Sequence, residues 1–263
     1  MENANITAYD RARAARGSGR PSAGGYMKML TENFLELHGD RRFGDDPAIV
    51  SGIGYIGSKA VTVIAMERGD TIEDRMRRKF GCPTPEGYRK ALRLMKEAEK
   101  FKRPVVCFIG SSGAYPGIEA EERGQGEAIA ENLYEMMTLK TPVISVVVGE
   151  GGSGGALALG VANNVVMLEN AIYSVISPEA CATILWKDSS KAPDAAEALK
   201  FTAENLYKFG VIEKVIAETE RTTEDIAAEL KDYIVNQIEL REKMTEEELL
   251  DERYNKFRKI GSK

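Results

Sequence analysis

The amino-acid sequence predicts an α/β protein built around a parallel sheet, and two segments carry most of this prediction. Residues 105–109 and 143–148 are apolar runs with the length of a buried strand. Each run is followed by a glycine-containing loop and then by an amphipathic helix. Strand, loop and helix in alternation are typical of parallel strands that are connected by crossover helices.

The N-terminal part of this domain is predicted to contain a helix and a β-hairpin. A helix begins at Ser22, because apolar residues follow it at helical spacing: Tyr26, Leu30, Phe34 and Leu37. Residues 48–55 and 60–66 are rich in Val and Ile and flank a Gly-Ser turn, which indicates a hairpin. The charged segment 68–81 is predicted to be a loop.

Capping residues place several of the remaining helices. Thr84 and Pro85 open one helix, because the threonine side chain can accept hydrogen bonds from the free amides of the first turn and proline is tolerated there. Thr245 and Glu248 form a capping box for the last helix. Further helices are predicted over 125–139 and 154–161 and from Ser177, and further strands over 165–168, 172–175 and 213–217. One more helix is predicted from an apolar stripe at helical spacing: Ile226, Leu230, Ile234 and Ile238.

Three parts of the chain differ in composition. Residues 1–20 are predicted to form a solvated N-terminal tail, because acidic residues interrupt their arginines and no apolar signal core follows. Residues 21–220 are predicted to form the α/β domain. Residues 221–263 are predicted to form helices that pack on this domain or on a partner.

Charge and cysteine usage exclude several classes of protein. A formal net charge of −5 argues against a general affinity for nucleic acid. No apolar run has the length of a membrane span, and the three cysteines lie far apart without a Cys-x-x-Cys pair. We therefore expect a cytoplasmic protein without a metal site of its own.

The glycine-rich segment 149–155 lies between the most apolar strand and a helix, and three interpretations compete for it. In the first, Gly149, Gly151 and Gly154 satisfy the dinucleotide-binding pattern G-x-G-x-x-G. That pattern normally follows the first strand of its fold, whereas most of the predicted strands precede this segment.

The second interpretation is a serine hydrolase, because residues 151–155 match the G-x-S-x-G elbow around Ser153. A serine nucleophile needs a base. The only histidine, His38, lies upstream of Ser153, in the reverse of the hydrolase order, and at the predicted end of a helix. A helix-end or packing role fits this histidine better.

In the third interpretation no side chain of the segment reacts. The glycines let the backbone approach a substrate closely, and the first amides of the following helix point free N–H groups at a developing negative oxygen and form an oxyanion hole. Removing one such donor typically raises the barrier by ~2.7–4 kcal/mol. The alternative that the glycines only allow close packing of strand and helix remains open for Gly151 and Gly152.

A second glycine loop, Gly113-Ala114-Tyr115-Pro116-Gly117, follows the preceding strand. Neighbouring strand ends of a parallel sheet open on the same crevice, so we expect the two loops to face one site. The residues predicted to bind substrate are Gly113, Ala114, Tyr115, Pro116, Gly117, Gly151, Gly152 and Ser153. The alternative for the second loop is an ordinary Pro-Gly turn.

Several ordered motifs carry a specific family resemblance: 80–91 (FGCPTPEGYRKA), 113–117 (GAYPG), 120–125 (AEERGQ), 149–155 (GEGGSGG) and 174–179 (SVISPE). With these motifs the chain resembles the carboxyltransferase α subunits of acetyl-CoA carboxylase, of the bacterial and plastid type. Matches at 36–41 and 184–187 extend the likeness from about residue 7 to the C-terminal helices.

The resemblance implies a ClpP/crotonase-type fold of repeated strand-strand-helix units with helical N- and C-terminal extensions. It also implies a heterotetramer of two α and two β subunits that makes malonyl-CoA from acetyl-CoA for fatty acid synthesis. The expected partners are the β subunit, which carries a zinc ribbon and most of the CoA site, the biotin carboxyl carrier protein and biotin carboxylase.

For the site, the resemblance implies that Gly154 and Gly155 stabilise the enolate-like ureido oxygen of biotin. Carboxybiotin on the carrier protein is then a substrate, and no cofactor is bound permanently. The ureido nitrogen itself takes the methyl proton of acetyl-CoA. The alternatives from other classes are a crotonase-like acyl-CoA hydratase or hydrolase and a non-catalytic partner subunit of a carboxylase.

Two segments depart from the family pattern. Family members usually carry Asp-Thr-Pro at 110–112 and often His-Gln-Lys-Gly at 66–69, whereas this chain has Gly-Ser-Ser and Met-Glu-Arg-Gly. Both lie near the expected site and bear on substrate handling.

A basic cluster follows the segment 66–69: Arg75, Arg77, Arg78 and Lys79. We expect a solvated face there, with an electrostatic landing site for CoA phosphates or carboxybiotin as the alternative.

Overall fold

Eight strands form one mixed sheet in the computed structural model of the chain, which describes residues 6–17 and 19–262. The strands are β1 (Glu32–Glu36), β2 (Ile49–Ile56), β3 (Lys59–Met66), β4 (Val105–Ser111), β5 (Val143–Gly152), β6 (Asn164–Leu168), β7 (Ile172–Ser174) and β8 (Lys214–Ile216). Their order is β1-β2-β3-β4-β5-β6-β8, with β7 beside the end of β5. The first three strands pair antiparallel and all later pairs are parallel, which confirms the predicted parallel centre.

Helices flank the sheet and connect its parallel strands. In the described residues they are α1 (Ala8–Arg16), α2 (Ala23–Leu30), α3 (Ile72–Arg77), α4 (Pro85–Lys100), α5 (Ile118–Glu122), α6 (Gln125–Thr138), α7 (Ser153–Leu157), α8 (Pro178–Trp186), α9 (Ala192–Leu199), α10 (Ala203–Lys208), α11 (Thr223–Arg241) and α12 (Glu246–Lys259). The helices α4, α6 and α8 begin where the sequence predicts them. The capping box of Thr245 and Glu248 opens α12, as predicted.

The register between β4 and β5 brings the two glycine loops together. The strands pair in register from Val105 and Val143 as far as Ile109 and Val147. The next pair is Ser111 with Gly151, so β5 advances farther than β4 between these two pairs. Such a bulge bends the longer strand locally. The carboxyl ends of β4 and β5 therefore converge on one crevice.

The apolar stripe of α11 belongs to the core. Its four residues are buried in the same cluster as the central strands: Ile226, Leu230, Ile234 and Ile238. Burying one such side chain contributes roughly 1.5–3 kcal/mol relative to leaving it exposed. The helix packs on α2 and on the strands β2, β5 and β8, so it covers one face of the sheet.

The helix predicted from Ser22 is shorter in the structure than in the prediction. It ends at Leu30, and Phe34 lies in β1, which pairs along the edge of β2. Asn33 has a left-handed φ of 50°, which a continuing helix does not allow. Gly52 of β2 leaves room for this edge strand, because a Cβ there would lie 2.1 Å from the carbonyl oxygen of Leu35.

Three further predictions from the sequence are wrong in part. The segment 68–81 is not all loop, because Thr71 caps the short helix α3. The helix predicted over 154–161 ends at Leu157. Residues 8–16 of the predicted solvated tail form α1, whose buried face is a stripe of small side chains: Ala8, Ala12 and Ala15. Small residues at helical spacing pack closely, but they give a low apolar signal in sequence.

Asp40 anchors the loop after β1 by accepting several hydrogen bonds. Its Oδ1 accepts from the N–H groups of Arg42, Phe43 and Gly44 at 2.9, 2.8 and 3.0 Å. Arg89 Nε donates to its Oδ2 at 2.8 Å. Burial alone would raise the pKa of Asp40, but these donors outweigh burial and lower the pKa to about 2. Folding therefore favours the ionised carboxylate.

We expect Asp40→Asn to lower the free energy of unfolding by ~2 kcal/mol near pH 6, because the folded pKa lies below the unfolded value of ~3.9. The contribution of Asp40 is complete above the unfolded pKa and is lost as pH falls through the folded pKa. By pH 3 roughly half of it is gone. Urea unfolding of both proteins at pH 6 and pH 3 measures this, and an unchanged difference between the two pH values would contradict the account.

Candidate active site

The turn after β5 presents free amide groups. Ser153 begins α7 with a left-handed φ of 54°, an uncommon conformation for a residue other than glycine. No side chain caps α7, and the N–H groups of Gly154 and Gly155 have no acceptor in the described chain. The first amides of a helix lack partners within the helix, so both groups are available as donors.

The second glycine loop lies directly against this turn. A Cβ on Gly152 would lie 2.0 Å from the carbonyl oxygen of Ser112, and one on Gly155 would lie 2.4 Å from the backbone nitrogen of Ala114. Real Cβ contacts are never this short, so only glycine allows the two backbones to approach. The structure thus confirms that the two loops meet. It also shows that close packing accounts for Gly152.

Gly154 has a different environment, with open space beside it. Only Ile129 Cγ2, at 3.6 Å, would contact a Cβ on Gly154. A cavity of about 360 Å³ begins at Ser153 and Gly154 and extends toward α12. Its other lining residues are mainly apolar: Leu157, Gly160, Val165, Tyr173, Ser174, Val175, Leu206, Val211, Phe257 and Ile260. A flat apolar ring could therefore lie beside the Gly154 amide.

A second, more polar cavity of about 210 Å³ lies along the residues before the turn. It is lined by Gly151, Gly152 and Ser153 together with Ser112 and Glu150. Space is therefore available on both sides of the turn. The residues predicted from the glycine segment all line at least one of these two cavities, except Gly155, which is buried under the second loop.

Not every residue predicted to bind substrate lies at the turn. Gly113 and Ala114 contact it, whereas Tyr115 lies beneath the Lys79 ammonium, which is 4.9 Å from the ring centroid. The residues after Tyr115 lead into α5 and line neither cavity: Pro116 and Gly117. The structure therefore brings together the first two residues of the loop and the glycine turn, but not the last three.

Tyr88 of α4 is a residue at the site that the sequence did not single out. Its buried hydroxyl would be 2.8 Å from a Cβ on Gly155 and has no hydrogen-bond partner in the described residues. Burial, and to a lesser extent the nearby Cys82 and Asp46, raises the pKa of Tyr88 well above its ordinary value. The phenol therefore stays protonated next to the buried amide.

The serine hydrolase interpretation finds no base in the described part of the chain. His38 follows β1 rather than closing a helix, and its Nδ1 lies 3.1 Å from Oδ2 of Asp45. It is exposed and has no hydrogen bond to Ser153. The sequence prediction of a helix-end position for His38 is therefore wrong, but the conclusion that it is not a catalytic base agrees with its location.

The basic cluster is not one continuous solvated face. Arg77 and Arg78 pair with Asp74 at 2.6 and 2.9 Å. Arg75 instead lines a cavity at the ends of β4 and β5.

In the described chain, no group of three or more His, Cys, Asp or Glu side chains could hold a metal ion. No helix there is both long and apolar enough to cross a bilayer.

Comparison with protein families finds one model that covers almost the whole chain. Residues 2–261 match the family described as acetyl co-enzyme A carboxylase carboxyltransferase-like. A relative from Ruminiclostridium cellulolyticum, named acetyl-coenzyme A carboxylase carboxyl transferase subunit alpha, is 55% identical over 97% of this chain and 98% of its own. A relative with the same name from Listeria welshimeri is 52% identical over 98% of this chain and 82% of its own. Another from Streptococcus equi subsp. equi is 54% identical over 93% of this chain and 96% of its own. They support the carboxyltransferase interpretation over the hydratase alternative.

Solved structures with low sequence identity share the fold. A transcarboxylase 12S structure matches with a TM-score of 0.68 at 18% identity, over 86% of this chain and 44% of the transcarboxylase chain. A Pseudomonas malonate decarboxylase hetero-tetramer matches with a TM-score of 0.66 at 15% identity, over 81% of this chain and 86% of its own. The β subunit of Pseudomonas aeruginosa geranyl-CoA carboxylase gives 0.65 at 16% identity, over 89% of this chain and 45% of its own. These likenesses confirm the expected crotonase-type fold.

Proposed function

The chain belongs to the acetyl-CoA carboxylase carboxyltransferase family as an α subunit, and from this membership we propose how its glycine turn contributes to the reaction. The enzyme transfers a carboxyl group from carboxybiotin to acetyl-CoA and gives malonyl-CoA. The observation that carries the proposal is the pair of free amides at Gly154 and Gly155, of which Gly154 lines a cavity that can hold a ring.

The two amides act as an oxyanion hole. When the carboxyl group leaves biotin, negative charge develops on the ureido oxygen, and two N–H donors in fixed positions stabilise it. Gly152 and Gly155 keep the second loop close to the turn, so the donors do not need to reorganise during the reaction. A preorganised donor in a site with little water stabilises such charge more than water does.

Carboxybiotin is a substrate that arrives on the carrier protein. It supplies the carboxyl group, and its ureido nitrogen accepts the methyl proton of acetyl-CoA. The chain itself contributes binding and the exclusion of water rather than a base. The apolar lining beyond Gly154, including Leu157, Tyr173 and Phe257, supports this role, because a dry wall protects reactive intermediates from hydrolysis.

We propose that the β subunit, the biotin carboxyl carrier protein and biotin carboxylase are the partners of this chain, and that zinc is bound by β alone. An exposed apolar patch supports a protein partner. It consists of three consecutive residues at the end of α8, Ile184, Leu185 and Trp186, which are 61%, 62% and 40% exposed. Apolar side chains that are exposed together commonly mark an interaction surface.

The test of this function is reconstitution. The purified chain is mixed with its β partner, carboxybiotin on the carrier protein, and acetyl-CoA, and malonyl-CoA is measured by mass spectrometry. We expect product only when both subunits are present. An assembled wild-type complex that forms no malonyl-CoA would reject the proposal, and tight binding of acetyl-CoA by this chain without β would favour a stand-alone acyl-CoA enzyme.

A further inference from the structure

A cavity rich in arginine lies at the carboxyl ends of β4 and β5. It has a volume of about 210 Å³. Its lining includes Gly110, Ser112 and residues 148–150 from the two strand ends, and Ser22 before α2. Four arginines and one phenylalanine complete the lining: Arg16, Arg20, Arg68, Arg75 and Phe80. We call it the arginine pocket.

Two of these four arginines are neutralised by acids. Arg16 pairs with Glu150 and with Glu179, each at 2.7 Å. Arg20 pairs with Glu218 at 2.5 Å, and its Nε is buried without an acceptor in the described chain. The charges of Arg16 and Arg20 are therefore compensated within the protein, although one buried donor of Arg20 stays unpaired.

The other two arginines have no acidic partner in the described part of the chain. Arg68 donates to the carbonyl oxygens of Arg16 and Gly17 at 3.3 and 2.9 Å, and Arg75 Nε donates to the carbonyl oxygen of Gly69 at 3.1 Å. No carboxylate of the described residues lies within 4.0 Å of either guanidinium. The neighbouring acid Glu67 is engaged with Ser22 Oγ and the Gly69 N–H. Two uncompensated positive charges thus line one pocket.

The arginine pocket adjoins the glycine turn. It shares Arg16, Ser112 and Glu150 with the cavity that runs along Gly151 and Gly152. That cavity in turn shares Ser153 and Ser174 with the cavity that begins at Gly154, so the arginine pocket connects through it to the space beside the Gly154 amide. This contiguity distinguishes the arginine pocket from an isolated basic patch on the surface.

A strained turn holds Phe80 at the pocket. Three successive residues have left-handed φ angles: Lys79 at 49°, Phe80 at 57° and Gly81 at 80°. The first two carry side chains, which makes this conformation costly, and residues in such regions persist where the surroundings impose them. The Phe80 ring is 61% exposed. It provides a flat apolar wall beside the guanidinium groups.

We propose, on the basis of the carboxyltransferase function, that the arginine pocket binds the carboxylate that is transferred, with Arg68 and Arg75 as its ligands. A guanidinium group donates two parallel hydrogen bonds to a carboxylate and discriminates its planar shape. The reaction places a carboxylate next to the reacting atoms in both the carboxyl donor and the malonyl product. A carboxylate held by Arg68 and Arg75 would lie at the carboxyl ends of β4 and β5, in the pocket that adjoins the cavity along Gly151 and Gly152.

The test compares ligands with and without the carboxylate. In the complex of α and β subunits, Arg68→Gln and Arg75→Gln should each raise the Kd of malonyl-CoA by about 10-fold or more, as expected for a charged hydrogen bond. The Kd of acetyl-CoA should change less than about 3-fold, since this ester lacks the carboxylate. Arg77→Gln is the matched control, because Arg77 lies on the same helix but pairs with Asp74 outside the pocket.

Calorimetry and steady-state kinetics separate the possible outcomes. An unchanged Kd for malonyl-CoA with a raised KM for carboxybiotin would support the pocket and assign it to the donor's carboxylate. Equal weakening of both CoA esters would overturn the proposal, because the arginines would then bind the phosphates of CoA. No change in any of these constants would also overturn it. If the wild-type complex forms malonyl-CoA throughout, these failures leave the proposed function intact.

Discussion

Replacing Gly155 with alanine should lower kcat of the complex of α and β subunits by at least about 100-fold, the effect of losing one oxyanion donor. The added methyl would lie 2.4 Å from the Ala114 nitrogen, 2.7 Å from the Gly113 carbonyl carbon and 2.8 Å from the Tyr88 hydroxyl. Two of these three atoms belong to backbone, so they cannot rotate away. The turn and the second loop must separate, and the amides then lose their positions.

Gly126, which lies outside the site, provides a matched control for this substitution. A methyl on Gly126 of α6 would meet no atom within 4 Å, so Gly126→Ala should keep full activity and gain ~0.5–1 kcal/mol of stability. Gly154→Ala should fold normally, because its methyl meets only Ile129, and it tests the cavity side of the turn. The account is wrong if Gly155→Ala assembles with β, shown by size-exclusion chromatography, and keeps kcat within about 3-fold of wild type.

Replacing Arg253 with methionine should lower the free energy of unfolding by ~3–5 kcal/mol, because it removes the donor of several buried acceptors, each of which costs ~1–3 kcal/mol when left unsatisfied. Arg253 is fully buried in α12 and joins this helix to the end of α6 and to the loop before β5. Its guanidinium donates to five oxygens: the carbonyls of Met136, Met137, Leu139 and Thr141 and the amide oxygen of Asn163. Methionine fills much of the space but removes the guanidinium donors from these acceptors.

Burial lowers the pKa of Arg253 to about 10, so the group is still charged at neutral pH. Arg258 on the same helix is exposed, and Arg258→Met should change stability by less than ~0.5 kcal/mol. Urea unfolding of both variants measures the difference. Equal, small effects for the two substitutions would show that the carbonyl network does not hold α12 in place.

Local patterns in the sequence predict most of the central fold, because they report interactions between residues close in the chain. The hairpin of β2 and β3 follows from its Val and Ile content and its glycine turn, and the helix starts follow from their caps. The meeting of the two glycine loops also follows, since parallel strands bring their carboxyl ends to one edge. Family likeness then supplies the chemistry that the glycine pattern alone left open.

The remaining features depend on contacts between distant parts of the chain. Phe34 fits a helical spacing as well as a strand, and pairing with β2 decides between the two. Arg253 reads as an exposed charge until the carbonyls of Met136 and Leu139 surround it. The Tyr88 hydroxyl looks like part of an apolar face, and only the packing of α4 places it next to Gly155. No local pattern contains such information.

The position of the biotin ring tests the central claim most directly. A crystal structure of the complex of α and β subunits with biotin bound measures the distances from the Gly154 and Gly155 nitrogens to the ureido oxygen. We expect both distances to be about 2.7–3.1 Å, with the ring against the cavity that begins at Gly154. A ureido oxygen held by other groups, with neither glycine nitrogen in hydrogen-bond range, would contradict the account.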